Sequence, residues 1–173
     1  FRGQFSFSGN QLNGDFRIPL DISYSNENAE MNIYIYENDG NGEALGNKNN
    51  IPLRGGNSTS DAQGPIISFE AHDGRIISTG DHVDKENPIV IRLSDAMGIN
   101  LTNEIGHEIM LTDLQSQSSE NITNDFIYDI NSITTGTIPY QVSSNESTVK
   151  FTIKAWDSAN NPSEKTLSLN ISE

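Results

Sequence analysis

The sequence predicts an all-β protein: an immunoglobulin-like β-sandwich preceded by a smaller, incomplete β-sheet region. Three observations carry this. Apolar side chains recur at every second position over short runs; Asn, Asp, Gly and Ser cluster between the runs; and no segment repeats its apolar residues at helical spacing.

From the start of the chain, Phe5 and Phe7 alternate with Gln4, Ser6 and Ser8, and turn formers follow from Gly9 to Gly14. Phe16, Ile18 and Leu20 resume the alternation, with Pro19 marking a strand end or an edge. Residues 29–36 (AEMNIYIY) read as a third strand, with Met31, Ile33 and Ile35 opposite Asn32, Tyr34 and Tyr36. A loop rich in glycine and asparagine is expected over 37–50, then a short strand at 51–54. Four short strands are few for an independent sandwich, so residues 1–60 read as the tail of a β domain whose first strands lie upstream of Phe1. Residues 55–61 are small, polar and aperiodic, the composition of a linker.

Residues 61–173 are expected to form the sandwich. Strands are placed at 65–71, 88–94, 107–113, 126–130, 136–142, 148–156 and 165–172, with a short sheet-switching piece at 75–77. Seven strands over about 110 residues is the usual scale of an immunoglobulin-like domain. Inward positions are Ile67, Phe69, Ile89, Ile91, Leu93, Ile109, Leu111, Phe126, Ile138, Tyr140, Phe151, Ile153, Leu167 and Leu169. The last hairpin has the clearest pattern. Val149, Phe151, Ile153 and Ala155 face one way and Lys150, Thr152, Lys154 and Trp156 the other; Leu167, Leu169 and Ile171 repeat the apolar face after an Asp157-Ser158-Ala159-Asn160-Asn161-Pro162 turn. Trp156, the only tryptophan, therefore lies on the outer face. A cover is expected over it, preferably the loop at 98–106.

The formal net charge of −14 argues against nucleic acid as a partner, because no basic stripe exists to displace counterions from phosphates. The absence of cysteine removes disulfides, thiolate nucleophiles and Cys zinc sites from this chain. No segment reads as a membrane span or a signal peptide. The chain opens on Phe1 without an initiator Met and reads as a piece of a longer protein.

Catalytic patterns are missing. His107-Glu108 is not followed by the second His of a metallopeptidase helix, since position 111 is Leu. His72, His82 and His107 are scattered, and no serine stands in a nucleophile elbow. The acidic pair Asp81 and Asp84 lies in loop sequence and reads as solvation. We therefore assign no catalytic, cofactor-binding or metal residue and expect no resident cofactor. Calcium is the one chemical alternative: Glu37, Asp39, Asn41 and Glu43 alternate through a glycine-rich loop, and Asp95, Asn100 and Asp157 punctuate later turns. Against it stands the ordinary use of Asp and Asn to shape turns. Asn-x-Ser/Thr triplets begin at Asn57, Asn100, Asn121, Asn145 and Asn170, as a chain this rich in asparagine produces by chance.

Several stretches resemble one family. Phe1-Arg2-Gly3 with Phe16-Arg17-Ile18-Pro19-Leu20-Asp21-Ile22 is similar to the FRG…F-x-V-P-x-D-I pattern of PorU-like proteins. These are the sortases of the type IX secretion system in Bacteroidota, with a gingipain-like cysteine peptidase domain. Later blocks agree in order: Asp61-x-x-Gly64-Pro65-Ile66, Asn87-Pro88, Asp95-x-x-Gly98-Ile99-Asn100, Gly106-His107-Glu108-Ile109, Asn124-Asp125-Phe126, Gly136-x-Ile138-Pro139-Tyr140 and Ala155-Trp156-Asp157-x-x-Asn160-Asn161. The chain departs at Ser144-Asn145-Glu146-Ser147, where family members often carry a Gly-x-His segment.

The resemblance implies a non-catalytic C-terminal part of a cell-surface, outer-membrane-associated sortase. Its catalytic Cys and His would lie upstream, and this segment would not itself be an enzyme. The implied partners are proteins at the outer membrane or the sorting domains of secreted cargo, met by β-strand addition at an edge; the isolated fragment is expected to be monomeric. The competing expectation is a surface adhesion or carbohydrate-binding module, with calcium stabilisation as an option and Tyr34, Tyr36 and Trp156 as the aromatic candidates.

Overall fold

A computed structural model describes residues 1–22, 28–53, 60–142 and 146–172. The described residues form eleven strands and one 3₁₀ turn, Thr123–Asp125, with no α-helix, and the all-β sandwich class stands. Two compact units result: Phe1–Asp21 with Thr59–Glu173, and Ile22–Ser58. The first residues thus group with the sandwich, across the expected boundary between 1–60 and 61–173.

The unit Ile22–Ser58 is a hairpin of β1 (Ala29–Tyr36) and β2 (Glu43–Ile51). Here the loop expected over 37–50 is much shorter. Glu37 N donates to the Gly42 carbonyl at 2.8 Å, and β2 starts one residue later. β2 has little apolar alternation, and it is a strand because pairing to β1 satisfies its backbone whatever its side chains. Ile51 ends β2 rather than opening a strand at 51–54. Arg54 and most of the expected linker lie outside the described residues.

The sandwich has two sheets. One orders β4 (His82–Asp84), β11 (Pro162–Ser172), β10 (Thr148–Trp156), β6 (Met110–Asp113) and β7 (Ser119–Asn121); the other orders β3 (Ile66–Glu70), β5 (Ile89–Ser94), β9 (Thr135–Tyr140) and β8 (Ile127–Tyr128). The seven expected strands are all present, shifted by a few residues at several ends. β4 and β7 were not expected, being three residues each and mostly polar. The piece at 75–77 is not a strand: Ile76 makes one isolated bridge to Glu70, while Ile77 drops into the core.

The β10–β11 hairpin pairs as the alternation requires, with Val149 opposite Leu169 and Phe151 opposite Leu167. These side chains face Phe69, Ile91, Leu93 and Ile138 from the second sheet in one buried cluster. Every expected inward residue is buried except Tyr140, which is half-buried at the end of β9.

The two flanks differ. On one, Lys165 of β11 reaches across to the second sheet: its Nζ donates to the Ile67 carbonyl at 2.9 Å and sits 5.7 Å from the Phe69 ring. Gly64 is packed so closely on the Pro162 carbonyl that a Cβ would collide with it. On the other flank, between β7 and the end of β9, a cleft of about 160 Å³ separates the sheets.

Residues 1–22 form an extended arm with no ladder, correcting the two strands expected there. Its aromatic residues gather on one another and on the sandwich. The Phe1 ring stands 5.1 Å from Phe16 and 5.2 Å from Tyr128. The Arg2 guanidinium donates to the Asn124 and Phe126 carbonyls at 2.6 and 2.7 Å, and Asn131 bonds Gln4 and Ser6. The arm's polar groups are therefore met mostly by side chains and turns, and alternation in its sequence reflects aromatic packing without sheet formation.

Candidate functional site at the loop end of the sandwich

The polar residues that the sequence marks as turn formers converge at one end of the sandwich. The turn after β5 is shaped by Asp95, whose Oδ1 accepts the Met97 N–H at 2.6 Å, and by Gly98 at φ +78° against the Ile133 carbonyl. Ile99 then bridges to Asp157, and Asn100 N donates to the Trp156 carbonyl at 2.9 Å. Tyr128 fixes the turn from the second sheet: its hydroxyl donates to the Ile99 carbonyl at 3.1 Å and accepts the Ile99 N–H at 2.8 Å. Burial pushes the Tyr128 phenol up to about 12, with the Ile99 backbone opposing and Asp95 adding a little.

The β10–β11 turn is built on Asp157, which is fully buried. Its Oδ1 accepts the Ala159 and Asn161 N–H groups at 2.9 and 2.6 Å, and its Oδ2 accepts Asn161 Nδ2 at 2.9 Å. A carboxylate buried with several donors is a stable turn centre.

Around this turn lie two polar groups. The first is centred on Asp21, at the end of the arm. It accepts from Asn100 Nδ2 at 3.0 Å, Thr102 Oγ1 at 3.1 Å and His107 Nδ1 at 2.6 Å. Because the carboxylate oxygen accepts, the imidazole carries its hydrogen on Nδ1. Asn100 also donates to Asn160, and Leu20 N donates to the Ser158 carbonyl at 3.0 Å, so the arm is held at several points. The His107 ring stands edge-on to Trp156 at 4.5 Å, and Lys154 Nζ lies 5.0 Å from the Trp156 ring. Trp156 is thus half-covered. The contacts on its ring come from His107, just past the loop at 98–106 that was expected to cover it, and from Lys154 of its own strand. His107 itself precedes β6 instead of starting it.

The second group joins Asp61, Asp95 and Asp157, one oxygen of each lying within 4.8 Å of the others. Burial foremost pushes the Asp95 carboxyl up; the Met97 N–H pulls the other way, Asp157 and Asp61 add to the rise, and Arg17 of the arm opposes it. The turn candidates for calcium are thus only partly united. Asp95 and Asp157 meet, while Asn100 spends its side chain on Asp21, Asn160 and Thr102, and Asp61 stands in the third place. Three carboxylates can share a proton or neutralise a cation, but calcium takes about six to eight oxygens and Asp157 already accepts three hydrogen bonds. In the hairpin, Asp39 accepts Asn41 N and Nδ2, and Glu43 accepts the Tyr34 hydroxyl at 2.6 Å, so those acids shape and brace the hairpin.

The sequence reading missed Asp21, Arg17 and Asp61 as members of this end. The hydrogen bond between Asp21 and His107 spans 86 positions, and nothing local in the sequence announces it. Chemically, the end is a joint between arm and turns. His107 has a carboxylate partner, and among the described residues no hydroxyl is hydrogen-bonded to its ring. His72 lies exposed in a turn, and His82 lies exposed in β4 rather than in a loop. Asp81 accepts the Ser78 N–H and Asp84 accepts Glu86 N and Asn87 Nδ2, both as turn caps.

No family model matches the chain, and no curated protein matches it at a significant level. Among solved structures, it is similar to PorU from Porphyromonas gingivalis, known from a crystal structure of the dimeric latent protein. The TM-score is 0.58 at 25% identity. The similarity covers 91% of this chain and 15% of that PorU chain, so the likeness takes in nearly all of this chain and a small part of that protein.

Proposed function

We propose that this chain is a non-catalytic module of a PorU-related cell-surface sortase, and that it docks the parent on its partners: an outer-membrane protein or the sorting domains of secreted cargo. The observation that carries the reading is the end-to-end likeness to one region of PorU. Two features support it. The chain has no cysteine to serve as a sortase nucleophile, and its loop end joins an arm to turns without building a reaction centre. No described helix is long and apolar enough to cross a membrane. Attachment to the surface would then rest with partners or with other parts of the parent.

The test is calorimetric titration of the purified chain with purified type IX sorting domains and with the detergent-solubilised outer-membrane proteins of that system. Saturable binding to at least one is expected, without cleavage of the sorting domain. Absence of binding to all of them overturns the docking role.

A second reading, carbohydrate binding, keeps one favourable observation. Tyr34 and Tyr36 stack at 6.0 Å on β1, with 60% and 58% of their surfaces exposed. Trp156 is half-covered by His107 and Lys154 and offers less free ring. Glycan-array binding that disappears in Tyr34→Ala/Tyr36→Ala would favour this reading over the first.

A further inference from the structure

The open flank of the sandwich has an unusual lining. Strand partners directly opposite each other share a face. Leu111 pairs with Glu120 and Phe151 pairs with Asp113, and both apolar partners are buried. Glu120, which is exposed, and Asp113, which is half-buried, therefore lie on the inward-facing side of their strands and line the mouth of the cleft. Across from them, Tyr140 pairs with buried Ile89 and turns its ring toward the same space, 5.8 Å from Phe151. Val142, Val149 and Phe151 supply an apolar floor to this cleft of about 160 Å³.

Among the described residues neither Asp113 nor Glu120 has a cationic partner. Asp113 Oδ1 is occupied by the Gln115 and Ser116 N–H groups, and these bonds hold its carboxyl below the usual range. Burial foremost pushes the Tyr140 phenol up, and Glu120 and Asp113 add to the rise; the same negative field favours a cation. The rim strand, β7, is the last of its sheet and has a neighbour on one side alone.

We propose that this flank binds an extended segment of a partner protein, which adds alongside β7 and inserts a lysine or arginine side chain between the sheets. The aliphatic stem lies along Val149 and Phe151, and the cationic head sits between Asp113, Glu120 and the face of Tyr140. An open edge supplies backbone pairing to any extended chain, and the acidic cleft selects a basic one. Two carboxylates over an apolar floor suit a long side chain with a charged tip better than a metal ion, which would need more oxygens. The partner class is thus a basic β-strand, complementary to a chain of net charge −14.

This inference deepens the docking reading and rests on it only for the existence of a partner. The test titrates the whole chain with a short fluorescent peptide of alternating threonine and arginine, with the threonine–glutamate peptide beside it. Saturable anisotropy is expected for the arginine peptide alone, with amide shifts concentrated in β7 and the end of β9. Glu120→Lys should weaken binding at least about tenfold, and Glu164→Lys, an exposed acid on β11 separated from β7 by β10 and β6, should leave it unchanged. Equal loss in both variants means diffuse charge attraction and overturns the proposal, as does the absence of any binding. Sorting-domain binding that persists in Glu120→Lys overturns the cleft and leaves the docking role standing. Peptide binding at the cleft without binding to the sorting domains or to the outer-membrane proteins does the reverse.

Discussion

The two compact units are built from the same kind of strand and reach different ends. β1 alternates as cleanly as β10, yet the hairpin leaves Ile33, Ile35, Tyr34, Tyr36 and Leu45 exposed, Leu45 by 79%. In β10 every second residue is sealed, because a second sheet stands across from it. Alternation alone seals no face; an opposing layer makes the core. The acids tell the same story. Asp39 and Asp95 both accept the N–H two residues on, and their carboxyls move in opposite directions. At the exposed turn the Asn41 donors lower Asp39, whereas burial raises Asp95 against the same kind of bond.

The largest difference should come from truncating equivalent aromatics. Phe151→Ala opens a cavity between the sheets and should cost about 3–5 kcal/mol, while Tyr36→Ala should cost under about 0.5 kcal/mol. Urea denaturation of both variants measures it, and comparable losses would show that the hairpin is as tightly packed as the sandwich.

Trp156 tests the middle of the range, an outer-face aromatic with partial cover. Trp156→Ala should cost about 1–2 kcal/mol, since the His107 ring and the Lys154 ammonium lie over part of the ring. A double-mutant cycle with His107→Ala should return a coupling of about 0.5–1 kcal/mol. Zero coupling would reduce the ring contact to mere proximity.

The smallest effect concerns Asp95. A raised carboxyl holds its proton in the folded chain at pH values where the unfolded chain has lost it, so its contribution to stability falls as pH rises past the ordinary aspartate value. Asp95→Asn keeps an acceptor for Met97 and removes the charge. Its melting temperature should exceed the wild type's by on the order of 1–2 °C at neutral pH, with the gain vanishing near pH ~4. Asp39 has the opposite sign: its contribution is present above the ordinary carboxylate range and lost as pH falls. A melting temperature of Asp95→Asn below the wild type's at neutral pH would mean that the charge itself is needed at the trio.

What the sequence reveals follows from how local each feature is. The β10–β11 hairpin was legible to the register because its two apolar faces and its Asp/Asn turn are adjacent in the chain. β2, β4 and β7 were not: Glu43–Ile51 is polar and rich in glycine and asparagine, and the other two are edge strands three residues long. Their strand character comes from a neighbour's backbone, which has no local signature. The arm errs the other way, since Phe5 and Phe16 sit in strand-like alternation but pack as rings on Phe1. At the loop end, the density of Asp and Asn flagged Asp95, Asn100 and Asp157. The membership of Asp21, Asp61 and His107 depends on contacts that close only when the whole sandwich has formed.

β11 has one feature with a consequence for time. Its neighbours are β10, joined to it by a tight turn, and β4, which it meets in parallel through Asn170, Ile171 and Ser172 opposite His82, Val83 and Asp84. It is an inner strand of a five-stranded sheet and, of that sheet's strands, the last to be synthesised. β4 therefore waits, its ladder groups unclaimed, until the residues that complete its sheet arrive from almost ninety positions away. Loop closure over that distance is slow relative to the hairpin that precedes it.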